Sequence, residues 1–137
     1  MRNIVVFATF LISLLIQNMV FAQSLSPEQV VQQNLEAYNN RDIEKFMAYF
    51  SPEITLFTFP ESQAHTVGLE AVRKLYQELF DLSPNLHSTI LNRIVFDNKV
   101  IDHEKIVGRR GAKEIIEMVL IYEVKNEKIF RITAIRK

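Results

Sequence analysis

Residues Ser26 to Phe59, SPEQVVQQNLEAYNNRDIEKFMAYFSPEITLFTF, prescribe helix, break, helix and strand in an order that few folds can use. Ser26 is placed to cap a helix, Pro27 suits its first position, and Gln29 stands three residues after the cap, the capping-box spacing. Val31, Leu35 and Tyr38 recur at helical spacing and give that helix one apolar stripe. Asn39-Asn40-Arg41 breaks the pattern, and Asp42 can cap a second helix with Ile43, Phe46, Met47 and Phe50 on one side. Ser51-Pro52 is predicted to stop it, since proline cannot continue a helix. Ile54 to Phe59, β-branched and aromatic, is predicted as a strand ended by Pro60.

The remainder continues in the same sense. Glu61 to Val67 is polar and irregular. Leu69, Val72, Leu75, Tyr76 and Leu79 form the stripe of a third helix, which Ser83-Pro84-Asn85 stops. Four strands then follow: His87–Phe96, Lys99–Val107, Glu114–Val124 and Lys128–Arg136, with Asp97-Asn98 and Asn126-Glu127 as turns and Gly108–Gly111 as a loop. Three helices followed by a run of strands is an α+β pattern.

Met1 to Ala22 is set apart from this domain. Arg2 precedes an apolar run from Ile4 to Ile16, and Val20-Phe21-Ala22 offers a small-residue cleavage site, so residues 1–22 are predicted to be a signal peptide and 23–137 the domain. A membrane anchor is the competing reading, but the run is short of the ~20 residues that span a bilayer. The expected product is secreted or periplasmic, with no membrane contact after cleavage. The chain has no cysteine, which excludes disulfides, thiol catalysis and a lipid-modified cleavage site. Without Arg2 the balance is 15 basic to 16 acidic residues, a net charge near −1 that speaks against a nucleic-acid partner.

AYNNRDIEKFMAYFSPEITL resembles the opening of the nuclear transport factor 2-like superfamily, also called SnoaL-like or ketosteroid-isomerase-like, in which an A-x-N-x-x-D turn joins two helices ahead of the first strand. TVGLEAVRKLY is similar to its third helix, usually entered through a glycine, here Gly68. The resemblance implies an NTF2-like cone: three N-terminal helices packed in a strongly curved antiparallel sheet, a ligand cavity at the open end, and a homodimer through the outer sheet face. A sheet apolar on both faces, Val119 and Ile121 against Leu120 and Tyr122, agrees with that partner. Ketosteroid isomerases use an aspartate at the end of the first strand, a first-helix tyrosine and a late neutral aspartate. Matched to this sequence, those positions hold Thr58, Asn34 and Leu120, so that catalytic set is missing.

Alternation then divides the strands. Ile101, His103, Lys105 and Val107 share one face of their segment and Val100, Asp102, Glu104 and Ile106 the other. The match to the family favours as inward the sets containing His103, Met118 and Ile132, which bring Leu120, Tyr122 and Arg136 with them. His103 would then be the acid/base of the pocket, with Asp102 and Glu104 turned outward. Asn34 lies in an apolar stripe, and Tyr76 falls where the family often carries a tyrosine bonded toward that position; the two are either donors at the cavity floor or a structural link between helices. Arg136 either clamps an anion or pairs with Glu36. Arg109-Arg110 reads as a solvated hairpin tip. His65, His87 and His103 have no metal-ligand spacing, and no cofactor is expected.

Three functions follow as expectations. The first is binding of a small, largely apolar molecule by Asn34, Thr58, Tyr76, Met118, Leu120, Tyr122, Ile132 and Arg136. The second is an isomerase, cyclase or hydrolase with His103 as general base and Asn34 and Tyr76 as oxyanion donors. The third is a structural dimerisation module.

Overall fold

The computed structural model describes residues 23–137, so the predicted signal peptide lies outside the described residues. Helix α1 spans Pro27–Asn40 and opens on the full capping box: Gln29 N–H donates to Ser26 Oγ at 3.2 Å, and Ser26 N–H donates to Gln29 Oε1 at 2.9 Å. It ends at Arg41, whose left-handed backbone (φ 53°) turns the chain. Helix α2, Ile43–Ala48, starts where Asp42 Oδ1 accepts from Lys45 N–H at 3.1 Å.

Strand β1 runs Phe50–Thr58 and takes in Ser51-Pro52, which the sequence assigned to a break. A register irregularity between Phe50 and Thr55 absorbs the proline, which has no N–H to give to a ladder. β2 is the short Thr66–Val67, α3 spans Leu69–Asp81, and β3 (His87–Phe96), β4 (Lys99–Val107), β5 (Ile116–Lys125) and β6 (Lys128–Arg136) complete the chain. The sheet order is β2-β1-β6-β5-β4-β3; β1 and β6 are parallel and every other pair is antiparallel. The result is an α+β cone, three helices against a curved, unclosed sheet.

The core sits between α1, α2, α3 and the concave sheet face, around Val30, Phe46, Ile54, Phe80, Val100 and Ile129. Phe46 lies at its centre, with ring centroids 4.5 Å from Tyr76, 5.0 Å from Phe50 and 5.5 Å from Phe80. Such tilted and edge-on contacts each contribute about 0.5–1.5 kcal/mol beyond area burial.

The structure reverses the expected parity of β4. Val100, Asp102, Glu104 and Ile106 are buried on the concave side, while Ile101, His103, Lys105 and Val107 face outward. β3 explains how the concave side holds two carboxylates. One extra residue, Leu91, bulges between the pairs Ile90–Glu104 and Asn92–His103. Before the bulge Ser88 faces inward, and after it Arg93 does, so both reach acids of β4. The parities of β5 and β6 stand as expected from the family match: Met118, Tyr122, Ile132 and Ala134 are buried.

Candidate functional site

The cone encloses about 90 Å³ between α1, α3 and the concave sheet. Its floor is apolar, with Leu35, Phe46, Leu56, Leu79 and Ile106 among its walls. Of the residues expected to bind a ligand, Asn34, Tyr76, Met118, Leu120, Tyr122, Ile132 and Arg136 line this space. Thr58 does not: the β1 residues that line the space are Leu56 and Phe57.

His103 is on the other side of the sheet. Its side chain is 40% exposed and its Nε2 meets Glu117 Oε1 at 2.8 Å. The expected catalytic base therefore has no access to the cavity, because the parity of β4 is the reverse of the one expected. Asn34 and Tyr76 are not bonded to each other either. Asn34 Nδ2 donates to the Phe46 carbonyl at 3.0 Å, which ties α1 to α2 and satisfies an amide that would be costly unpaired at 3% exposure.

His65 also lines the space, and the carboxylate that faces the cavity is Glu104, at 3% exposure. Ser88 Oγ donates to its Oε2 at 2.8 Å, and Oε1 has no partner among the described residues. Burial pushes its pKa from 4.5 to about 7; the Ser88 bond opposes that rise, Asp102 adds to it, and Arg109 opposes it. A carboxyl in this range takes and gives a proton at neutral pH. The turn motif holds it in place. Asn39 Oδ1 accepts from Ser88 N–H at 2.7 Å and Asn39 Nδ2 donates to Ser88 O at 3.0 Å, which fixes the residue that holds Glu104.

Three tyrosines surround this carboxyl: Tyr38 from α1, Tyr76 from α3 and Tyr122 from β5. Burial raises the pKa of each phenol, and the charge of Glu104 raises it further. None of the three hydroxyls has a hydrogen-bond partner among the described residues, and none is sealed from the cavity. They are neutral donors with nothing of the protein to donate to. Tyr38, read from the sequence as core packing, thus also belongs to the site.

Asp102, the neighbouring inward residue along β4, has a different fate. Arg93 grips it with two bonds of 2.7 Å, from Nε and Nη2, and donates through Nη1 to Gln32 Oε1 at 2.9 Å. At 1% exposure it is a buried ion pair that holds β3, β4 and α1 together.

A family model, the SnoaL-like domain, matches residues 31–132, three quarters of the chain. The chain belongs to the SnoaL-like domain family. No curated protein matches its sequence. Among solved structures, a cystatin-fold protein of Novosphingobium aromaticivorans is 20% identical, with a TM-score of 0.74 over 82% of this chain and 99% of that one. A candidate ketosteroid isomerase of Kribbella flavida is 14% identical, with a TM-score of 0.70 over 81% of this chain and 77% of that one. A candidate polyketide cyclase of Sinorhizobium meliloti is 16% identical, with a TM-score of 0.65 over 77% and 92%. At these identities the likeness is one of fold, and the site must be read from this chain's own residues.

The sequence pointed past Glu104 because alternation treats both faces of β4 alike. One signal was available: Asp102 and Glu104 are two carboxylates at i and i+2, and β3 offers Ser88 and Arg93 as partners for them.

Proposed function

We propose that the cavity binds a small, largely apolar molecule bearing a carbonyl group and that Glu104 exchanges a proton with it. The observation that carries this reading is the open Oε1 of a buried carboxyl with a pKa of about 7, ringed by three unpartnered phenols. In its ionised form Glu104 takes a proton from the carbon beside the carbonyl. The C–H electron pair forms a C=C bond while the C=O π pair moves onto oxygen, where a tyrosine hydroxyl donates to the developing enolate. Return of the proton to a different atom completes an isomerisation. Two structural neighbours, named for ketosteroids and polyketides, lend weight to a carbonyl substrate.

Deuterium uptake from D2O at the α-carbon of small cyclic ketones, followed by NMR, tests it. Uptake with wild type and its loss in Glu104→Gln support the reading. If Glu104→Gln exchanges as fast as wild type, the carboxyl has no such role. A ketone panel that neither shifts the melting temperature nor exchanges removes the function altogether.

We further propose that the working unit is a homodimer through the outer sheet face. In-register neighbours Ile94, Ile101 and Ile121 cross three strands, with Val119 and Ile135 beside them. Glu117 and Glu123 share this face with His103, Lys105 and Arg131, a mixture of signs that suits a second copy related by a two-fold axis. Residues 1–22 are proposed to direct export; N-terminal sequencing of the exported protein would return Gln23 first.

A further inference from the structure

The mouth of the cavity carries positive charge that the protein itself leaves uncompensated. Three arginines reach it: Arg109 and Arg110 from the loop after β4, and Arg136 from the end of β6. Arg110 is engaged, donating to Glu78 Oε1 at 3.0 Å. Arg73, Arg93 and Arg131 elsewhere in the molecule have Glu44, Asp102 and Glu123 within reach, and Arg41 donates to the backbone carbonyls of Asn39 and Leu86. Among the described residues Arg109 and Arg136 have no acidic partner.

We infer that the molecule this cavity takes is an organic anion, an amphipathic carboxylate whose apolar end enters the hollow while its charge rests between Arg109 and Arg136. The inference rests on the cavity's being a binding site and goes on to name the chemical class. A guanidinium presents paired N–H donors that match a carboxylate, which is why arginine rather than a diffuse positive field is informative here.

The loop that carries Arg109 is held, which distinguishes it from a solvated hairpin tip. Gly108 has φ +71°, and a Cβ there would lie 2.2 Å from the Asn85 carbonyl oxygen, so only glycine lets the loop pack this closely. Arg110 N–H donates to Ser83 Oγ at 2.7 Å, and Ser83 is fully buried. The backbone on either side of Arg109 is therefore anchored to the segment that follows α3. Both guanidinium groups act on one interior group: Arg109 and Arg136 each lower the pKa of Tyr76 against the effect of burial. They converge on the same hollow from the loop after β4 and from the end of β6.

Size and charge give the orientation. The enclosed space of about 90 Å³ is smaller than the ~150 Å³ cavity that accommodates benzene, so a ligand of ordinary size leaves part of itself in the mouth. Glu104 would repel an anion from the interior, and the arginines would attract it outside. An apolar or neutral polar end inward and a carboxylate outward satisfies both.

Titration calorimetry with three acid and amide pairs tests this: benzoate and benzamide, trans-cinnamate and cinnamamide, octanoate and octanamide. Wild type should bind at least one acid about tenfold more tightly than its amide. Arg109→Gln and Arg136→Gln should each reduce that preference while leaving the amide's affinity unchanged. An amide bound as tightly as its acid overturns the inference and leaves the cavity standing as a binding site. So does a loss of acid and amide affinity by equal factors in the variants, which would mark a packing role. If no pair binds wild type, this inference fails, and the ketone panel decides the proposed binding function separately.

Discussion

Strand β4 treats charge in opposite ways on its two faces. On the concave side Asp102 and Glu104 are nearly inaccessible, and each depends on one partner from β3: a bidentate arginine for the first, a single serine hydroxyl for the second. On the convex side His103 and Glu117 pair at 2.8 Å with some 40% of each side chain in water. The geometry of the contacts is similar and the energetics are not. Water screens the outer pair and leaves it weak, whereas removing one partner of a buried pair strands a charge at a cost of about 3–5 kcal/mol. Within the concave face the two acids differ again. Asp102 is fully neutralised and serves the architecture, while Glu104 is under-compensated and remains able to gain or lose a proton.

The largest effect should come from the architectural acid. Arg93→Ala leaves Asp102 buried without its cation and should cost about 3–5 kcal/mol in urea unfolding. A loss under 1 kcal/mol would mean that Asp102 is more hydrated than its position indicates.

Glu104 should then declare itself in the pH dependence of stability. Its folded pKa, about 7, lies above the unfolded value of 4.5, so the unfolded chain releases its proton first as pH rises. Its burial therefore costs nothing below pH 4.5, erodes stability between 4.5 and about 7, and levels off above at roughly 3 kcal/mol of lost stability. Glu104→Gln should flatten that segment of the profile and be relatively more stable at pH 8. An unchanged profile would place the carboxyl's titration elsewhere.

On the convex face, Ile121→Lys should convert a dimer to a folded monomer, visible as a halved mass by light scattering with unchanged circular dichroism. A wild-type monomer would remove the proposed interface. The smallest effect belongs to His103→Ala, expected to change unfolding free energy by less than about 1 kcal/mol and to leave ligand-dependent melting shifts intact. Loss of ligand response in this variant would break the contrast between the two faces.

Much of the architecture was written locally. The Ser26-Gln29 capping box, the Asp42 cap, the Gly68 entry to α3 and the four C-terminal strands all follow from neighbours in sequence, and the structure has each of them. The role of Asn39 was visible only as part of a turn motif; that it brackets the backbone of Ser88, 49 positions away, needed the folded chain. Arg109 read as solvated for the same reason, since nothing near it in sequence reveals Asn85 and Ser83 packed against its loop.

Strand alternation by itself determined that 101, 103, 105 and 107 share one side of β4 and 100, 102, 104 and 106 the other. It could not choose between them, because each set has two aliphatic ends and two polar centres and the hydrophobic effect ranks them nearly equal. Tertiary structure made the choice: a bulge at Leu91 and the long-range approach of Ser88 and Arg93 supply hydrogen bonds to the carboxylates of the set that faces inward. Burial of charge is decided by what meets it, and what meets it here comes from another strand.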